Sequence, residues 1–390
     1  MLETLTPVAD DPILALAAEA RADVRPGKVD LGVGVWRDAQ GRTPVMAAIR
    51  TAEAQLLATQ DSKSYLGMAG DAGFVQALAD LVLVKTVDAD RLRGLQTPGG
   101  AGALRLLCEV TRVANPGATV WVPDPTWPVH GPIALASGLA VARYPVPDLR
   151  TGAAAMLSAL QVARRGDVVI VHASCQNPTG IDPSPAEWAA FADLAEARGL
   201  IPLVDLAYAG FGDGITGDTA ALRMLAARLP EVLLAVSCSK SFGLYRERVG
   251  AAYVLARSAA QAVSAAGVMA GIVRCLWSMP PDHGAACVRL VLHDPVLRRE
   301  WETELEAMRR RLRALRAAFS HALSRETGRD WSALAHQRGM FSRLPLSVES
   351  VNALRHNHAI YLITDGRMNF AGLPEDRIDS IAAAIGRALT

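Results

Sequence analysis

Between residues 118 and 255 short apolar runs recur, most of them separated by helical or mixed stretches. The runs are 118–122, 139–146, 167–172, 200–205, 232–236 and 249–255. Several are apolar at successive rather than alternate positions, as in Leu203-Val204 and Val232-Leu233-Leu234. Strands with two apolar faces must be covered on both sides. Such strands alternating with helices mark an α/β fold with a mostly parallel sheet. Ligands in these sheets bind at the carboxyl ends of strands. Polar candidates fall there: Asp124 and Trp127 after one run, His172 and Asn177 after another, Asp205 and Tyr208 at a third, Lys240 after a fourth.

At 390 residues the chain is too long for one small core, so a large domain and a smaller one are expected. Net charge is +1 and no basic tract stands out, which gives nucleic-acid binding no electrostatic support. The five cysteines share no metal-ligand spacing and read as reduced thiols of a cytoplasmic protein, with no metal expected. The first 22 residues carry Glu3, Asp10, Asp11 and Glu19, a composition unlike a signal or transit peptide. The uncharged stretch 258–273 falls short of the ~20 apolar residues of a membrane span and is expected to form a buried helix. No membrane association is expected.

Asp11-Pro12 reads as a helix start. Helical patterns follow at 47–58, 74–85 and, long and charged, 295–323. Short strands are expected at 340–344 and 360–363, and a last helix at 374–389. Gly32 and Gly34 in the apolar segment 29–36 do not form a dinucleotide fingerprint. They allow close approach of a backbone N–H to a ligand, or form an ordinary turn. Thr97-Pro98-Gly99-Gly100-Ala101-Gly102 opens into a helix, a ready anion site or a plain capping loop.

The chemistry concentrates around Ser237-Cys238-Ser239-Lys240-Ser241-Phe242-Gly243 and Arg248. A lysine desolvated at a strand end is freed to attack a carbonyl. Ser237, Ser239 and Arg248 are residue types that hold a phosphate. Together they point to a Schiff base with a phosphorylated aldehyde, pyridoxal 5′-phosphate (PLP). A solvated loop lysine beside a surface arginine is the alternative. Asp205 would suit a pyridinium nitrogen, Tyr208 and Asn177 the ring's phenolic oxygen, and Trp127 a ring face. Each also has a structural alternative: helix cap, core aromatic or turn former.

The sequence resembles the fold-type I, class I PLP aminotransferases, and within them the aspartate and aromatic amino acid aminotransferase subgroup. The motifs are Ser174-Cys175-Gln176-Asn177-Pro178-Thr179-Gly180, Asp205-Leu206-Ala207-Tyr208-Ala209-Gly210-Phe211-Gly212, Ser239-Lys240-Ser241-Phe242-Gly243-Leu244-Tyr245-Arg246-Glu247-Arg248-Val249-Gly250 and Gly366-Arg367-Met368, in the family's order. The resemblance implies a large domain at 44–300 with a mostly parallel seven-stranded sheet between helices. It implies a smaller α/β domain at 301–390, with 1–43 forming an N-terminal arm and part of that domain.

It further implies that Lys240 holds PLP and moves the substrate α-proton. Asp205 would pair with the ring nitrogen, Tyr208 and Asn177 with the phenolic oxygen, and Trp127 would cover the ring. Gly100, Ala101, Ser237, Ser239 and Arg248 would hold the phosphate, with Tyr65 reaching it from the second subunit of a homodimer. Arg367 would grip the substrate α-carboxylate beside Gly34. Arg274, also from the second subunit, would bind the distal carboxylate of aspartate, glutamate or 2-oxoglutarate. His130 and His172 would stand behind Asp205.

The implied reaction moves the amino group of aspartate, tyrosine or phenylalanine to 2-oxoglutarate. A lyase or decarboxylase of the same fold type is the alternative, with a PLP-binding regulatory module behind it. The paired Arg367 and Arg274 favour the transfer reaction. Departures from the pattern are Ala101 for a usual Thr or Ser, Gln176 for a common histidine and Trp36 for a common tyrosine. Val35, Arg37 and Thr43 look like the aspartate type, whereas Ser64 and Met279 match neither type well.

Overall fold

The structure is a computed structural model that describes residues 2–6 and 11–389. Positions 1, 7–10 and 390, Asp10 among them, lie outside the described residues. The chain forms two compact units: 44–311 with 337–339, and 1–43 with 312–336 and 340–390.

The first unit is built on a seven-stranded sheet. Its strands are β1 (Leu92–Pro98), β2 (Thr119–Asp124), β3 (Ala140–Pro145), β4 (Val168–His172), β5 (Ile201–Leu206), β6 (Val232–Ser237) and β7 (Val249–Leu255). Their spatial order is β1-β7-β6-β5-β4-β2-β3. Only β7 runs against its neighbours; the other pairs are parallel. Every residue of β4, β6 and β7 is buried, as two covered faces require. Strand β1 lies outside the expected runs. Its Arg93, Gly94 and Gln96 break the apolar pattern, and pairing with β7 supplies what local sequence does not.

Local signals set the connections. Between β4 and β5 the helix Pro185–Arg198 starts with proline at its first turn and a Ser184/Glu187 capping box, and ends at Gly199 in the left-handed region. Between β1 and β2 the helix Gly99–Ala114 buries Ala103, Leu104, Leu107 and Cys108 in the sheet's core. The carboxyl ends of β1, β2, β4, β5 and β6 therefore share one edge.

The helix Ala259–Leu276 corrects an expectation. It buries only Ala262, Met269 and Val273, and by length and composition it is apolar enough to cross a membrane. Its alanines and glycines let one narrow face pack while the rest stays open, so it is not the buried helix expected from hydropathy.

The second unit contains two small sheets. Val29–Asp30 pairs in parallel with Ile360–Tyr361, and Phe341–Arg343 pairs antiparallel with Arg367–Asn369. The last helix, Ile378–Ala388, begins four residues later than its pattern suggests, after a short 3-10 turn at Glu375–Arg377.

Candidate active site

A cavity opens at the shared carboxyl edge of the strands. Lys240 lines it, and so do Asp205, Tyr208, Asn177, Trp127, Gly100, Ala101, Ser237, Ser239 and Arg248. Residues from five separate sequence segments thus face one space.

Asp205, next to last in β5, lies beside its cross-strand neighbour His172 on β4. Its Oδ2 accepts a hydrogen bond from His130 Nε2 at 3.1 Å, and His172 Nε2 lies 4.0 Å away. Thr126 Oγ1 is 2.8 Å from His130 Nδ1. The threonine O–H donating to Nδ1 leaves the proton on Nε2, aimed at the carboxylate. Burial pushes the Asp205 carboxyl up, but the His130 hydrogen bond and the field of the two neighbouring imidazoles and the Lys240 amine outweigh it and hold it below the usual range. His172 is pushed down to about 4, first by burial and then by His130, against the pull of Asp205. It is therefore neutral. The three donor atoms lie within 4.8 Å of one another, a spacing that also suits a metal. With both ring nitrogens of His130 engaged, the cluster suits the support of an anionic carboxylate better.

Tyr208 follows Asp205 by three residues, and its hydroxyl accepts from Asn177 Nδ2 at 3.5 Å. Lys240 Nζ stands 5.1 Å from the Tyr208 ring centroid. Trp127 meets His130 edge-on at 5.4 Å. Gln176, where the family commonly has histidine, donates to the Pro125 carbonyl at 2.8 Å and accepts from Thr179 N at 2.9 Å. It ties the Asn177 loop to the Trp127 loop.

The remaining wall is made of backbone and cation. The helix Gly99–Ala114 starts here, so Gly100 and Ala101 sit in its first turn, where N–H groups are unspent and the dipole is positive. Arg248 NH1 donates to Ser239 Oγ at 3.4 Å and to the Tyr245 carbonyl at 3.1 Å. Gly99 has a φ of +72°, and a Cβ on it would lie 2.6 Å from Arg248 NH2. Only glycine lets the arginine approach the helix start this closely.

Four expected residues lie elsewhere. Arg367, in the second unit, is 4% exposed. It donates from NH2 to the Gly32 carbonyl at 3.1 Å, with its guanidinium 4.7 Å above the Phe341 ring. Gly34 packs on the same ring, where a Cβ would come within 2.9 Å. Phe341 thus orients both residues, a role its sequence context did not signal. Tyr65 is 90% exposed and Arg274 is exposed, donating to Ser278 Oγ at 2.7 Å. Neither lines the cavity of its own chain.

Residues 26–385 match the family described as "Aminotransferase class I and II". The chain belongs to the class I and II aminotransferases. It is 49% identical to a tyrosine aminotransferase of Rhizobium meliloti, covering 98% of each chain. It is 44% identical to an aromatic-amino-acid aminotransferase of Paracoccus denitrificans and 40% identical to an aspartate aminotransferase of Salmonella typhi, covering 99% of each chain in both cases. An aromatic-amino-acid aminotransferase from Burkholderia pseudomallei, covalently bound to pyridoxal phosphate, superposes with a TM-score of 0.96 at 37% identity over 100% of both chains.

PLP is the cofactor of this family, and the aminotransferase cavity fits it. A buried carboxylate held anionic suits a protonated ring nitrogen, a helix start with hydroxyls and a guanidinium suits a phosphate, and a lysine amine stands in the same space.

Proposed function

We propose that the chain is a homodimeric enzyme that moves the amino group of aspartate, tyrosine or phenylalanine to 2-oxoglutarate in a ping-pong sequence. The observation that carries the reading is the Lys240 amine in one cavity with Asp205, Tyr208, Asn177 and Arg248. When bound, PLP supplies an electron sink for the substrate α-carbon.

Lys240 would hold the cofactor, and its amine would move the proton at the substrate α-carbon. Asp205 keeps a proton on the ring nitrogen, backed by His130. Tyr208 and Asn177 donate to the phenolic oxygen, and Trp127 covers the ring face. Gly100, Ala101, Ser237, Ser239 and Arg248 bind the phosphate. Arg367 grips the substrate α-carboxylate as a two-pronged donor, oriented by Phe341 and beside Gly34.

Tyr65 and Arg274 act in the active site of the second subunit, Tyr65 on the phosphate and Arg274 on the distal carboxylate of a dicarboxylic substrate. Their exposure supports this, as does the open apolar face of Ala259–Leu276, the helix that carries Arg274. The proposed domains are a PLP-binding body at 44–300 and a smaller domain of 1–43 with 301–390, supported by the two compact units. We also propose a cytoplasmic location, since the five cysteines are odd in number and share no metal-ligand spacing.

The test is the absorption spectrum of the purified protein with PLP, titrated with aspartate and then phenylalanine. A visible band that each amino acid shifts is expected, and the faster conversion names the preferred donor. No band after adding PLP overturns the reading.

A further inference from the structure

After Tyr208 the chain makes a tight loop and returns to the short helix Gly214–Asp218. Three backbone N–H groups of this loop converge on one side chain. Gly210 N and Gly212 N donate to Asp218 Oδ2 at 2.7 and 2.9 Å, and Asp213 N donates to Oδ1 at 2.6 Å. Asp218 is 3% exposed. Three N–H donors on one side chain call for an ionised carboxylate, which offers about four lone-pair sites and no competing donor. Such charge-assisted bonds are the strong ones; burial still outweighs them and pushes the carboxyl up to about 6, which leaves it mostly ionised at neutral pH.

The sequence is shaped to this contact. Gly210 has a φ of +97°, and a Cβ on Gly212 would lie 2.4 Å from Asp218 Oδ1. On the loop's other side the Ala209 carbonyl accepts from Ser241 Oγ at 2.7 Å, the residue after Lys240. The loop is thus clamped between a buried carboxylate and the turn that carries the lysine.

We infer that Asp218 is a positioning residue: by gathering the amides of the 210–213 loop it fixes Tyr208, so that the phenol presents its O–H to the cofactor's phenolic oxygen. This rests on the role given to Tyr208 above. Asp182 treats the neighbouring loop alike, accepting from Cys175 N at 2.8 Å and Gln176 N at 2.9 Å just before Asn177. Asp218 has the more buried position and the larger set of donors.

The experiment is a pH titration of the visible cofactor band in the holoenzyme and in Tyr208→Phe, Asp218→Asn and the double variant, with amide exchange at 210, 212 and 213. Loss of the phenol donor raises the band's midpoint in Tyr208→Phe. Asp218→Asn is expected to raise it in the same direction by roughly half to one pH unit, with faster exchange at the three amides. The double variant is expected to match Tyr208→Phe alone. If Asp218→Asn does not fold, Gly212→Ala, whose methyl displaces the carboxylate, is read in its place. A midpoint that moves in Tyr208→Phe but not in Asp218→Asn overturns the positioning role. A midpoint that does not move in Tyr208→Phe overturns the assignment of Tyr208 itself.

Discussion

Two walls of the cavity are built on different physics. Around Asp205 the wall is a low-dielectric set: buried His130, held by Thr126, hydrogen-bonds the carboxylate, and buried His172 lies 4.0 Å from it. Around Arg248 the wall is a helix start, two serines and an exposed cation. The buried wall sets a charge state, because removing a partner there leaves an uncompensated charge in the interior. The open wall anchors an anion, because water and the helix dipole still compensate when one contact is lost. The buried wall therefore governs rate and the open wall governs cofactor retention.

Four substitutions break or sharpen this contrast. Lys240→Ala, between the walls, sets the upper scale: turnover is expected to fall by about 10⁴-fold, the top of the range for a positioned proton-transfer group, measured in a transamination assay with saturating PLP. Asp205→Asn is expected to cost about 2–4 kcal/mol of barrier, the loss from truncating a buried hydrogen-bonded charge. It should appear in kcat with PLP binding less affected, and the reverse split would break the contrast. Arg248→Ala is expected to weaken PLP binding by about 10–150-fold, one charge-assisted bond, with kcat at saturating PLP nearly kept; equilibrium dialysis of the apoprotein measures it. Ala101→Thr restores a hydroxyl to the helix start and is expected to tighten PLP binding by up to about tenfold. No gain would show that Ser237, Ser239 and Arg248 already saturate the phosphate.

The buried wall also predicts a pH response. His172 is held at about 4, below its ordinary 6.5, so folding favours the neutral ring. Its contribution is present above pH 6.5 and is lost as pH falls through 4, amounting to roughly 3 kcal/mol. His172→Asn should flatten that part of the acid limb in urea unfolding measured from pH 7 to 4. An unchanged slope would mean that the histidine is solvated.

Much of this was legible in order along the chain. Lys240, Asp205 and Asn177 stand at strand ends, and strand ends are marked by where apolar runs stop. Gly99 and Gly100 open a helix whose apolar spacing is plain. Other features carried no local mark. Gln96 and Arg93 hide β1, which exists because β7 lies beside it. The helix Ala259–Leu276 reads as core by hydropathy, yet only one face meets its own chain. Asp218 looks like any helical aspartate until the loop folds its amides onto it.

What the sequence by itself determined is the identity and order of the reactive groups, because turns, caps and apolar periods act within a few residues. The tertiary structure decided which groups compensate which. His130 reaches Asp205 across 75 residues, and Phe341 supports both Arg367 and Gly34 from distant segments. Those pairings come from packing the sheet and its helices to close contact, where burial removes water and leaves each charge only the partner the fold brings to it.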